Sequence, residues 1–104
     1  MKSLYFIGTS QDDLRDFPED VRAAAGFELF RVQNGLDPTD WKPMAIVGAG
    51  TREIRVRGES GAYRVFYVVE SEAAVYVLHA FHKKTQETAK ADIDKGKTRY
   101  KLIK

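Results

Sequence analysis

The spacing of apolar residues along this chain changes character near its middle. "SLYFIG" (3–8) is a brief apolar run closed by glycine and predicts a first strand. Thr9 and Ser10 follow as cap-like residues, with acids behind them suited to a helix N-terminus. Pro18 fits the first position of a second helix. Val21, Ala25, Leu29, Val32 and Leu36 then recur at spacings of four, four, three and four, which makes one helical stripe. Gly26 interrupts that stripe at a cost of about 1 kcal/mol, and Gly35 is placed to end it. The stretch "LDPTDWKPMAIVGAGT" (36–51) is broken by prolines and glycines and reads as a connection.

Beyond residue 51 the period becomes two. In "REIRVRG" (52–58), Arg52, Ile54 and Val56 share one face, and Glu53, Arg55 and Arg57 share the other. "AYRVFYVVE" (62–70) and "AVYVLHAFH" (74–82) are rich in β-branched and aromatic residues, and the short turns "ESG" and "SEA" precede them. Together these segments predict a three-stranded antiparallel meander. "TAKADIDKGKTRYKLIK" (88–104) predicts a last helix capped by Thr88, loosely held because only Ala89, Ile93, Tyr100 and Ile103 offer apolar contact. The order strand, two helices, three strands, helix predicts a single α+β domain over 1–104. Its small antiparallel sheet would carry the helices on one face and leave the other at least partly open.

Composition narrows the chemistry. A 104-residue chain without cysteine has no disulfide framework and no thiolate metal site. It shows no signal peptide and no apolar stretch long enough to span a bilayer, so the expected compartment is the cytoplasm and no membrane partner is expected. Charge is segregated. Residues 1–51 hold five Lys/Arg against eight Asp/Glu, whereas residues 52–104 hold twelve against seven. That asymmetry points the second half toward an anionic partner, the alternative being an unevenly charged solvated surface.

The alternation lets Arg64 join Arg55 and Arg57 on the open face, the alternative for an arginine in a central strand being an ion pair with Glu53 or Glu70. His79 and His82 lie three apart on one strand and point to opposite faces, so they do not make a metal site. His79 reads as a satisfied core or edge residue on the face of Val75, Val77 and Phe81. His82, next to Lys83 and Lys84 at the strand end, reads as the group that titrates near neutral pH. Guanidinium groups that clamp phosphate oxygens, a lysine near a leaving oxygen and an imidazole that moves a proton would suit a phosphodiester. Phe66 or Tyr100, if exposed, could stack a base.

"WKPM" (41–44), "REIRVR" (52–57), "AYRVFYV" (62–68) and "LHAFHKKTQET" (78–88) closely resemble the RelE/HigB toxin superfamily, nearest to its phage-related, HigB-like branch. The resemblance spans nearly the whole chain. It implies the toxin of a type II toxin–antitoxin pair, acting on mRNA as a ribosome-dependent, metal-independent endoribonuclease without a cofactor. The implied partner is a cognate antitoxin, commonly a helix-turn-helix, HigA-like protein. The implied catalytic residues are Arg64 and Arg55 on the scissile phosphate, Lys84 or Lys83 on the leaving oxygen, and His82 as acid or base. Arg57, Arg52, Phe66 and Lys90 would contact the RNA. The chain departs from the family pattern at Thr88-Ala89-Lys90, where Thr-Pro-Lys is usual, and at Gly96. It also lacks a tyrosine just after the basic cluster, and Tyr100 stands too far along to replace it. Two alternatives stay open: a ParE-like inhibitor of DNA gyrase, and a degenerate toxin that serves only as antitoxin partner or co-repressor.

Overall fold

A computed structural model describes residues 1–103. Its elements are β1 (Ser3–Phe6), α1 (Ser10–Arg15), α2 (Glu19–Gln33), β2 (Trp41–Pro43), β3 (Arg52–Gly58), β4 (Gly61–Val69), β5 (Ala74–Lys83) and α3 (Lys90–Tyr100). The expected meander is present as β3, β4 and β5. It forms the centre of a larger sheet with the order β1-β5-β4-β3-β2. The sheet is mixed rather than antiparallel throughout, because β1 runs parallel to β5. The second addition is β2, inside the segment read as a connection, where Trp41, Lys42 and Pro43 pair with Ile54, Glu53 and Arg52. Only three residues long and closed by proline, β2 carries no periodic signal and is tolerated because it is an edge strand.

The helical stripe forms as the spacing predicts. Val21, Ala25, Leu29 and Val32 are buried against Ile54, Val56, Val65, Tyr67, Val75 and Val77, with Leu14 and Phe17 closing one end. Each buried Val, Leu or Ile side chain contributes about 1.5–3 kcal/mol by leaving water. Leu36 falls outside the stripe and is exposed. The helix has already ended at Gly35 (φ +81°), where Gly35 N donates to Val32 O and Leu36 N to Arg31 O. That pair of bonds satisfies two end carbonyls, and the conformation it needs favours glycine.

The far face is not left open along its length. Met44, Val47, Phe66, Val68, Leu78 and Phe81 form a second core under Ile93, Tyr100 and Ile103. Nor is α3 loosely held. A Cβ on Gly96 would stand 2.9 Å from both Phe66 Cδ2 and Val47 Cγ1, so the glycine that breaks the helical pattern is where α3 seats against the sheet. Tyr100 lies over Gly48 and donates to Ala49 O (2.8 Å). The N-cap of α3 is Ala89 and has no side-chain cap bond, so the expected cap, Thr88, is free to act elsewhere.

One irregularity decides which β5 side chains face α3. The β4–β5 register passes from Phe66↔His79 to Tyr67↔Val77, which leaves Leu78 as the extra residue of a bulge. Leu78 and His79 therefore both join the α3 side, while Val75 and Val77 lie under α2. Arg99 Nη1 donates to the bulge carbonyl, Leu78 O (3.0 Å), and Arg99 Nη2 to Thr9 Oγ1 (2.8 Å). The bulge thus ties α3 to the start of α1.

Candidate active site

Directly opposed residues of an antiparallel pair share a face. Three rows cross the α3 side of the meander: Glu53, Phe66 and His79; then Arg55, Arg64 and Phe81; then Arg57, Ala62 and Lys83. The first row lies under α3. The other two run on toward the β3–β4 turn, beyond the start of the helix. Arg55, Arg57 and Arg64 there line one cavity of about 150 Å³, shared with Asp40 and Val56. The expectation that Arg64 joins Arg55 and Arg57 is met. Lys42 comes to the same face by pairing with Glu53.

The expected alternative for Arg64, an ion pair with Glu53, is met as well. Arg64 is 6% exposed and Glu53 0%. Arg64 Nε stands 3.6 Å from Glu53 Oε1, and neither atom has a hydrogen-bond partner. A charge-assisted bond closes to about 2.7–2.9 Å, so the acid faces the guanidinium edge without forming a two-pronged lock. Arg64 Nη1 donates to Tyr63 O (3.0 Å), and Glu53 Oε2 accepts the Thr88 hydroxyl (2.8 Å). Burial lowers the Arg64 pKa from its ordinary value, opposed by Glu53 and reinforced by Arg55. Lys83 is likewise lowered, first by desolvation and then by Arg64, with Lys42 and Arg55 adding repulsion and Glu53 opposing. Asp40 stands at the rim, its Oδ1 3.9 Å from Arg55 Nη1.

Several predicted site residues lie elsewhere. His82 is opposite Tyr63 on the face of α1 and α2, where the two rings stack at 4.4 Å with planes 13° apart. Strand alternation carries it away from the arginines, and Lys84 lies one residue past the end of β5. Phe66 is fully buried beneath α3 and cannot stack a base, and Tyr100 is packed on Gly48. Arg52 sits on the α2 side, bonded to Asp37 Oδ1 (2.8 Å) with its guanidinium 3.9 Å from the Trp41 ring centroid. Lys90 is exposed in the first turn of α3 and pairs with Asp94 (2.7 Å). His79 is buried, as expected, but only half satisfied: Nε2 stands 2.7 Å from Asp92 Oδ1, and Nδ1 is buried without a partner.

Lys42, Asp40 and Thr88 were not selected as site residues by their spacing. Lys42 and Asp40 belong to the proline-interrupted stretch, and Thr88 looked like a cap. The pairing of "WKP" with "REI" was the signal that could have found Lys42. A second cleft, of about 480 Å³, runs along β5 between Asp13, Asp16 and Phe17 on one side and Lys95 on the other. It brings no arginine together and suits an anion less well. Among the described residues no three His, Cys, Asp or Glu side chains cluster to hold a metal, and no helix is long and apolar enough to cross a membrane.

The comparisons with known proteins agree with this architecture. A family profile described as phage-derived protein Gp49-like matches residues 12–101. Among solved structures, a chain of the RelBE2 toxin–antitoxin complex from Mycobacterium tuberculosis is similar at 27% identity and a TM-score of 0.56, over 79% of this chain and 98% of that one. No curated protein matches. The chain thus belongs to the phage-derived Gp49-like family, has the RelE-like α+β fold, and is a RelE-type toxin of the toxin–antitoxin class.

Proposed function

We propose that this chain is an mRNA endoribonuclease that acts in the cytoplasm on translated messages and is silenced by a cognate antitoxin. The observation that carries the reading is the cavity shared by Arg55, Arg57 and Arg64, with Lys83 on the same face. In this mechanism the ribose 2′-hydroxyl attacks the adjacent phosphorus, and the 5′-oxygen of the next nucleotide leaves. The dianionic, five-coordinate centre needs cationic donors fixed in advance, which is what guanidinium groups on a rigid sheet provide. Arg64 and Arg55 hold the non-bridging oxygens, and Arg57 holds a flanking phosphate. Lys83, whose pKa is lowered by burial and by neighbouring cations, delivers a proton to the leaving oxygen. The base role moves from His82 to Asp40, the acid lining the cavity.

The similar structure is a toxin–antitoxin complex, and it supports an antitoxin as the partner here. A helix-turn-helix, HigA-like antitoxin and a ribosome-bound message complete the reading. The test is primer extension on cellular messages after brief induction. New 5′ ends inside translated regions are expected. Growth arrest with a DNA-damage response and no new ends would favour gyrase inhibition instead. No arrest at all would favour a degenerate toxin.

A further inference from the structure

Glu53 is an unusual residue to find at the back of a phosphate site. Its carboxylate is fully buried on a strand whose next two outward residues on that face are arginines. A buried acid beside a cationic cavity weakens anion binding by simple charge arithmetic. Its retention there calls for a compensating role.

The contacts supply one. Oε2 is fixed by the Thr88 hydroxyl at 2.8 Å, from the segment that leads into α3. Oε1 is left facing Arg64 Nε at 3.6 Å, and both atoms are buried without a hydrogen-bond partner. Arg64 Nη1 is held on its other side by Tyr63 O at 3.0 Å. The guanidinium is therefore hydrogen-bonded at Nη1 and faces the Glu53 charge across its Nε edge, while the side chain still lines the cavity with Arg55 and Arg57. Without Glu53 a nearly buried arginine would stand beside two others with only Asp40, at the rim, as counter-charge, and repulsion would turn it outward.

We infer that Glu53, oriented by Thr88, is the positioning residue for Arg64. It sets the plane in which the guanidinium meets a phosphate and does not touch the substrate itself. The inference rests on the proposed nuclease reading for its consequence in catalysis, but the orientation of Arg64 can be measured apart from any activity.

The experiment uses the full chain and the substitution Glu53→Gln, which keeps an acceptor for Thr88 and removes the charge. Two quantities are read: hydrogen exchange at the Arg64 Nε–H by NMR, assigned with Arg64→Lys, and kcat and KM for cleavage of a defined message in a purified translation system. Exchange in the variant should be faster by about tenfold or more. Misplacement of the guanidinium should lower kcat by about 10²-fold with a much smaller change in KM. Unchanged Nε–H exchange overturns the inference, whatever happens to activity. Faster exchange with an undiminished kcat overturns it too. If the wild-type chain cleaves nothing while exchange still accelerates in the variant, the nuclease reading fails and the orienting role of Glu53 stands. Should Glu53→Gln not fold, Thr88→Val gives a second reading, because it releases Oε2 and leaves the ion pair. Faster Arg64 exchange supports the inference there, and unchanged exchange overturns it.

Discussion

At the scale of single residues, the sorting of side chains between two faces separates chemistry from packing. His82 and Lys83 are neighbours in sequence, yet one stacks on Tyr63 under the helices and the other faces the arginines. His82→Ala should leave message cleavage within about threefold and cost only about 0.5–1.5 kcal/mol of stacking. Lys83→Ala should lower cleavage by about 10²-fold or more. Rates for the two purified variants, measured side by side, check this. His79 makes a separate prediction. Burial, the largest influence, lowers its pKa below the ordinary 6.5 even though Asp92 opposes the shift. The unfolded chain then binds more protons than the folded one below that value. Stability from this group is complete above about pH 6.5 and is lost as pH falls toward the folded-state pKa. Denaturant melts between pH 7.5 and 5 should show that decline, and His79→Gln should flatten it. The arginine face was legible in the sequence because strict alternation holds through β3 and β4. The full set of His79's neighbours was not, because no sequence pattern marked the bulge at Leu78.

Among the elements, α3 departs furthest from its sequence expectation. Its apolar content is thin and it contains Gly96, so local pattern predicts weak attachment. The structure makes that glycine the contact point with Phe66 and Val47. Two effects oppose each other in Gly96→Ala. Alanine gains about 1 kcal/mol of helix propensity. Forcing a methyl group against a ring and a branched side chain 2.9 Å away costs about 1–3 kcal/mol. Both contacts are buried core groups with little room to give, so overpacking wins, and Gly96→Ala should destabilise the fold by up to about 2 kcal/mol net. A rise in melting temperature would contradict the tight seating of α3. The helical stripe of α2 and its stop at Gly35 were readable because both follow from local spacing and turn chemistry. The strand β2 and the parallel pairing of β1 were not, since a three-residue edge strand and a long-range pairing leave no local period.

For the whole molecule, most of the charge division between the two halves of the sequence becomes a division of surfaces, with Lys42 and Asp40 crossing over from the first half. Lys42, Arg55, Arg57, Arg64 and Lys83 converge on one corner, and the acids of α1 and the start of α2 lie on the other side of the sheet. Three or four phosphate contacts at that corner give single-stranded RNA binding a log–log salt slope of about −2 to −3. A slope near zero in a fluorescence titration would mean that the charges are a solvated surface only. With α1 and α2 behind the mixed sheet and α3 further along its other face, Arg57 is exposed at this corner, Lys42, Arg55 and Lys83 are partly exposed, and Arg64 is buried behind them.

In the proposed reaction the Arg64 guanidinium grips the phosphate undergoing cleavage. Arg64→Ala is a poor probe, because it would strand the buried Glu53 at a cost of about 3–5 kcal/mol. Arg64→Lys keeps a charge beside Glu53 and removes only the planar fork. The most direct measurement is therefore primer extension on messages after brief induction of wild type and Arg64→Lys, with expression and melting temperature matched. New 5′ ends in translated regions are expected for the wild type and about 10²-fold fewer for the variant. Equal cleavage by the two proteins would contradict that role for Arg64.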